Sequence, residues 1–206
     1  TGSTSFGDSL IYWPVTVADS GTHFIQVTDQ YGCMNAITYD LHVDPTPDIG
    51  PISMPSDLCE ADTAFFEADS VPGVVSYVWT GPASYYYPSP SGLIANVNPA
   101  NSGIYTLVVE NAYGCSDTAT AHLQVWEYPD IDLGNDTVIC IGTWFTVHAS
   151  SGYPIYQWNT GQTTSSLTIS SPGEYILDVV NGGICRTIDT LIVDEHSCDP
   201  IMPNIF

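Results

Sequence analysis

Residues 101–115 read Asn-Ser-Gly-Ile-Tyr-Thr-Leu-Val-Val-Glu-Asn-Ala-Tyr-Gly-Cys, and the chain spells this pattern three times. From Tyr105 the apolar Leu107 and Val109 alternate with Thr106 and Glu110, the period of two expected of a strand with one buried face. Asn111 to Gly114 then break the alternation with turn formers. The copies run from Ser20-Gly21-Thr22-His23 to Gly32-Cys33, and from Pro172-Gly173-Glu174-Tyr175 to Gly183 and Cys185. From the strand-opening glycine to the cysteine the offset is 12 each time (33−21, 115−103, 185−173). A strand, a tight turn and a second strand repeated at fixed spacing predict tandem β units and count them.

What precedes each hairpin sets the domain organisation. In two copies the order is cysteine, strand, Tyr-x-Trp, strand, hairpin, giving domains at 45–127 and 128–195. Cys59 precedes an expected strand over 63–68 with Ala64, Phe66 and Ala68 inward; Tyr77-Val78-Trp79 places a large indole at the centre of a two-sheet core. A loop holding Tyr85, Tyr86 and Tyr87 leads to a strand over 93–97. The later copy repeats this with Cys140, a strand over 143–149, Tyr156-Gln157-Trp158 and a strand over 166–169. Residues 1–44 read as the back half of a domain, since Thr1-Gly2 aligns with Thr80-Gly81 and Thr160-Gly161. A half sandwich exposes an apolar face and open strand edges, so its front strands are expected upstream or from another chain. Residues 196–206 read as a linker. The class is all-β.

Six cysteines, two at matching points of each complete repeat, suit an oxidising compartment. The repeated order predicts the disulfides Cys59–Cys115 and Cys140–Cys185, each closing a loop worth roughly 3–4 kcal/mol if unstrained. Cys198 is left over, and Cys33 is expected to find its partner in the absent half of the first domain. No Cys-x-x-Cys is present and the histidines are not spaced as zinc ligands.

Charge excludes whole classes of partner. There are 23 acidic residues against one basic residue, Arg186, for a net charge of −22. Nucleic acid and anionic lipid would be repelled, and divalent cations serve as counterions. No apolar run is long enough to cross a bilayer, so direct membrane insertion is not expected. No signal peptide is present, so an exported form would make this chain an internal piece of a longer precursor.

The Trp of one strand, the Ser-Gly-x-Tyr opening of a later strand and the Asn-x-x-Gly turn resemble immunoglobulin-like sandwiches of the intermediate set. One departure is clear: where such domains carry the second core cysteine, this chain has Leu107 and Leu177. More narrowly, Leu133-Gly134-Asn135-Asp136-Thr137-Val138-Ile139-Cys140, Tyr156-Gln157-Trp158-Asn159-Thr160-Gly161 and Pro172-Gly173-Glu174-Tyr175 resemble tandem immunoglobulin-like or PKD-like repeats of Bacteroidetes surface proteins. Pro203-Asn204-Ile205-Phe206 is similar to the opening of the gliding-motility-associated C-terminal sorting domain. The resemblance implies export by the type IX secretion system, retention at the cell surface, and O-glycosylation at Asp-Ser/Thr sites. Candidates are Ser9, Thr63, Ser70, Thr118, Thr137 and Thr190; the competing reading is that Asp-Thr pairs serve turns and strand starts.

Catalytic patterns are absent: no Gly-x-Ser-x-Gly and no His-Glu-x-x-His. His196, Ser197 and Asp199 are chance neighbours in the tail, His23 takes the tyrosine position of the repeat as a packing substitution, and His148, His42 and His122 lie on strands without a metal-like partner. No cofactor is expected. Ca2+ is a candidate bridging ion at Asp130 with Asp132 and at Asp194 with Glu195, although no Asp-x-Asp-x-Asp-Gly loop exists. Tyr85, Tyr86 and Tyr87, in a loop stiffened by Pro82, Pro88 and Pro90, are the candidate glycan-binding residues. Trp126 and Tyr128 are expected to pack domain against domain.

The reading that follows is a non-catalytic stalk segment of a large extracellular adhesin or filament protein. The alternatives are a carbohydrate-binding module and accessory domains of a secreted enzyme. Its partners are the neighbouring immunoglobulin-like domains of the parent chain, with extracellular glycans or proteins as further candidates.

Overall fold

A computed structural model of the chain describes residues 2–6 and 9–198, with side chains from Trp13 onward. The sorting-domain resemblance at 203–206 and Asp199 lie outside the described residues, as does the side chain of Ser9. Strands and short 3-10 turns are the regular elements of the described residues.

The first stretch forms two hairpins. Strands β1 (Gly2–Phe6) and β2 (Ser9–Trp13) pair with each other, and β3 (Gly21–Thr28) pairs with β4 (Met34–Leu41). Between them a single 3-10 turn, Val17–Asp19, is fixed by the Asp19 carboxylate, which accepts from the Thr16 N–H at 2.8 Å.

A two-layer unit follows. Its strands are β5 (Asp57–Cys59), β6 (Ala64–Glu67), β7 (Val74–Gly81), β8 (Tyr85–Tyr87), β9 (Ser91–Ile94), β10 (Gly103–Asn111) and β11 (Ser116–Trp126). One sheet has the order β5-β11-β10-β7-β8; the other is β6-β9. β5 runs parallel to β11, while β10 lies antiparallel between β7 and β11. Between the layers the expected inward residues Ala64, Phe66 and Ala68 meet Trp79, Leu107 and Val109. The Trp79 ring is fully buried 5.1 Å from the Phe66 ring, and its indole N–H reaches the Pro90 carbonyl at 3.4 Å. A buried indole needs such a partner, because leaving the N–H unpaired would cost about 1–3 kcal/mol.

The last unit repeats the plan in β12 (Thr137–Cys140), β13 (Phe145–His148), β14 (Ile155–Trp158), β15 (Ser166–Ile169), β16 (Gly173–Asn181) and β17 (Cys185–His196). Its sheets are β12-β17-β16-β14 and β13-β15, closed over Trp158, Leu177, Val179 and Leu191. Trp158 Nε1 donates to the Thr164 carbonyl at 2.8 Å.

A small hydrogen bond recurs at the base of each repeated hairpin. Tyr105 donates its hydroxyl to the Asn101 carbonyl at 2.8 Å, Tyr175 does the same to Ser171 at 2.8 Å, and His23 Nε2 lies 2.8 Å from the Asp19 carbonyl oxygen. In each case the acceptor is four residues back, which is the tyrosine corner of two-sheet folds. His23 therefore keeps the polar contact of the tyrosine it replaces as well as its place.

Two expectations need correction. Residues 85–87 are not a loop but a strand on the edge of the larger sheet, Trp79 opposite Tyr87 and Gly81 opposite Tyr85. The disulfides are not Cys59–Cys115 and Cys140–Cys185 but Cys59–Cys185 and Cys140–Cys198, with Cα–Cα distances of 5.5 and 5.3 Å; Cys33 and Cys115 carry free thiols. The reason is strand direction. β5 runs parallel to β11 and ends with Cys59 opposite Trp126, whereas Cys115 precedes the first residue of β11. Eleven residues (126−115) of strand separate the two ends, roughly 35 Å at the strand rise, far beyond the reach of a disulfide. β12 likewise ends with Cys140 opposite His196, eleven residues (196−185) from Cys185. Cys198, left over in the expected pairing, is the partner of Cys140.

Candidate functional site

The unit junction around Cys59 and Cys185 gathers the most specific chemistry of the molecule. Parallel pairing with β11 carries Cys59 to the end of the central unit, and the β16–β17 turn brings Cys185 to the near end of the last one. Cys185 is fully buried there and Cys59 nearly so.

Around the disulfide, hydrogen bonds fix the end of the central unit and join it to the last. The Trp126 indole N–H donates to Asp57 Oδ1 at 3.0 Å, and the Glu60 N–H to the Trp126 carbonyl at 2.8 Å. The Tyr128 N–H donates to Glu60 Oε1 at 3.2 Å, and Asn181 Nδ2 donates to the Glu127 carbonyl at 2.9 Å. The indole of Trp126 lies on the backbone of Gly182 so closely that a Cβ on residue 182 would collide with the ring. Gly182 also has φ +59, a left-handed conformation that favours glycine. Trp126 thus packs unit against unit, as expected, and the glycine that receives it is the residue the sequence reading missed. Its signal was Gly182-Gly183 in the third hairpin where the others have Ala-Tyr-Gly and Gln-Tyr-Gly.

The junction between the first hairpins and the central unit is a partial copy. Asn111, nearly buried, donates from Nδ2 to the Pro45 carbonyl at 3.0 Å, the counterpart of Asn181 to Glu127. The His42 ring meets the Tyr113 ring edge-on at 6.4 Å, and His42 pairs with Asp44 at 2.9 Å.

The three tyrosines do not form one platform. Strand alternation puts Tyr85 and Tyr87 on one side, their rings stacked 6.3 Å apart, and Tyr86 on the other. Tyr85 turns over the core against Phe66 and Tyr105, at 5.3 and 5.8 Å. Burial, and then the neighbouring Tyr87 and Tyr105, push its phenol up to about 12. Tyr87 instead borders an open groove with Phe65, Glu67 and Leu93.

Among the candidate modification sites, Ser70, Thr118 and Thr190 are exposed and Thr63 and Thr137 half-buried. The aspartates before three of them hold strands together. Asp117 accepts the N–H of Ile49 at 3.0 Å, Asp189 that of Leu133 at 2.7 Å and Asp136 that of Ile192 at 2.9 Å. Asp130 and Asp132 stand at one end of the last unit and Asp194 and Glu195 at the other. Among the described residues no three His, Cys, Asp or Glu side chains converge as a metal site, and no helix is long and apolar enough to cross a membrane.

No protein-family model matches the sequence, nor does any curated protein. Among solved structures it is similar to the N-terminal eight Ig domains of Down syndrome cell adhesion molecule isoform 1.30.30, at 17% identity and a TM-score of 0.65 over 95% of this chain. The chain is a tandem of immunoglobulin-like sandwiches. It spans 31% of that structure. A second likeness, to extracellular domains 3–5 of Drosophila OTK, has 15% identity and a TM-score of 0.51, covering 89% of this chain and 73% of that one.

Proposed function

We propose that this chain is a non-catalytic, load-bearing spacer of an extracellular surface protein, a stalk whose immunoglobulin-like units hold other modules away from the cell. The observation that carries the reading is the Cys59–Cys185 bond, because it joins successive units rather than the two layers of one. Residues 49–59 run beside β11 from Asp117 to Trp126, so ten steps of chain (59−49) cover the length of nine strand steps (126−117) and are nearly fully extended. The disulfide passes from that extended stretch into β17, another extended strand. Tension applied at Pro45 and Cys198 therefore follows 14 residues (59−45), one S–S bond and 13 residues (198−185), and bypasses the 126-residue interval that supplies most of both cores.

Supporting context comes from the acidic surface, which resists aggregation, from disulfides suited to an oxidising compartment, and from a structural neighbour named as a cell adhesion molecule. The resemblance to Bacteroidetes surface repeats and to a type IX sorting domain supports a stalk exposed on such a cell, with Asp-Ser/Thr glycans as a proposed addition to its solubility. Adjoining immunoglobulin-like units are its first partners. Single-molecule pulling between residues 45 and 198 tests the proposal. The oxidised chain should lengthen by only a few tens of ångströms, whereas reduction should release roughly 400 Å more contour. Whole-unit unfolding steps in the oxidised chain would overturn it.

A further inference from the structure

Among the described residues, nothing packs over the face of the β3–β4 hairpin that matches the inner face of a sandwich. Aligned by the repeated glycine-to-cysteine offset, Ile25 and Val27 correspond to Leu107 and Val109 in β10 and to Leu177 and Val179 in β16. Those four are fully buried, yet Ile25 and Val27 are 38% and 64% exposed, and Ile37, opposite Ile25, is 60% exposed. In the central unit Phe66 of β6, in the opposite layer, covers the same face, Trp79 of β7 packs beside Leu107 within the sheet, and β7 and β5 close the two edges of β10–β11. Among the described residues β3–β4 is a two-stranded sheet with neither edge paired. The central unit therefore shows, within the same chain, what such a face receives: three strands of the kind supplied by residues 57–81.

A second observation points independently to the same occupant. Cys115 occupies in the central unit the hairpin position that Cys185 occupies in the last, and the two junctions share the asparagine-to-carbonyl bond, Asn111 to Pro45 and Asn181 to Glu127. At the second junction the bonded partner is the cysteine ending the parallel edge strand of the preceding unit, Cys59. At the first junction the thiol is half-buried and unbonded, and the missing partner is the cysteine that would end a parallel edge strand on β4.

We propose that β3–β4 receives a three-strand segment from an earlier part of the same polypeptide, and that this segment's edge strand ends in a cysteine that bonds Cys115. The bond forms from two thiols: two protons and two electrons pass to a disulfide oxidant, which leaves as its dithiol. The consequence is a disulfide across both junctions, with the hairpin cysteine reaching backwards at each. Cys115 then pairs with no cysteine of its own unit, and Cys33 is no part of its bond.

The test is peptide mapping, without reduction, of the parent polypeptide isolated from its source with thiols blocked at lysis. Cys115 should be recovered bonded to a cysteine that precedes Thr1. Exchanging Val27→Asp should lower the yield of that bond at least tenfold, because the segment no longer docks, while Cys33→Ser leaves it unchanged. Recovery of Cys115 as a blocked free thiol, or bonded to Cys33 of another copy, would overturn the proposal. So would a bond whose yield is indifferent to Val27→Asp.

Discussion

The indole ring of Trp126 rests on the backbone of Gly182, across the boundary between the central and last units. Any side chain at 182 would meet the ring while forcing a positive φ on a residue that resists it. Gly182→Ala should cost roughly 1–3 kcal/mol of stability and leave the Cys59–Cys185 bond formed. Small-angle scattering should show a wider spread of unit orientations in this variant. An unchanged profile together with an unchanged melting midpoint would mean that the contact carries no weight.

The pairing of the cysteines is testable by which substitutions matter. Cys59→Ser and Cys185→Ser each open the same 126-residue loop, so each alone should lower stability by roughly 4–5 kcal/mol on a chain-entropy estimate, and the double variant by no more than either. Cys115→Ser breaks no bond within the chain and should leave the denaturation midpoint unchanged. The pairing expected from sequence would make Cys115 as sensitive as Cys59.

Trp79 and Trp158 are the largest fully buried side chains, one in each core. Replacing either with Ala leaves a cavity that a two-layer unit cannot collapse, and should cost about 3–5 kcal/mol. Hydrogen exchange should show the loss concentrated in the unit that holds the substitution, since each indole packs within its own cluster. Equal loss of protection in both units would instead show that they unfold together.

These outcomes also mark what the sequence made legible. Alternation was enough to place Ala64, Phe66, Leu107 and Val109 inside, because a strand's period of two leaves little choice once one face is buried, and the size of its indole placed Trp79 with them. It could not say that residues 85–87 form an edge strand, since three tyrosines between prolines carry no alternation to read. Nor could it pair the cysteines. The order of elements puts Cys59 and Cys115 in one unit, but only strand direction and length show that they sit at opposite ends of it. Gly182 was invisible as a contact because its partner, Trp126, belongs to the unit before.

Acid should weaken the clamps that hold the edge of the central unit. Hydrogen bonds from the Ile49 and Thr118 N–H groups hold the Asp117 carboxyl below its usual value of 3.8, and the Trp126 indole and then the Ser56 hydroxyl do the same for Asp57. A carboxylate whose folded value is depressed contributes stability that is present above its unfolded value and lost as pH falls through the folded one. Overall protonation acts the other way, since it relieves the repulsion of a chain with net charge −22. Comparison with Asp117→Asn removes that common background. The melting midpoint of the native chain should exceed that of the variant by a constant margin above about pH 4.5, and the margin should shrink as the pH falls below the ordinary carboxylate range. Asp57→Asn should behave alike, with the change also read in Trp126 fluorescence. A margin that stays constant down to about pH 2 would show that these carboxylates are not held by the bonds drawn to them.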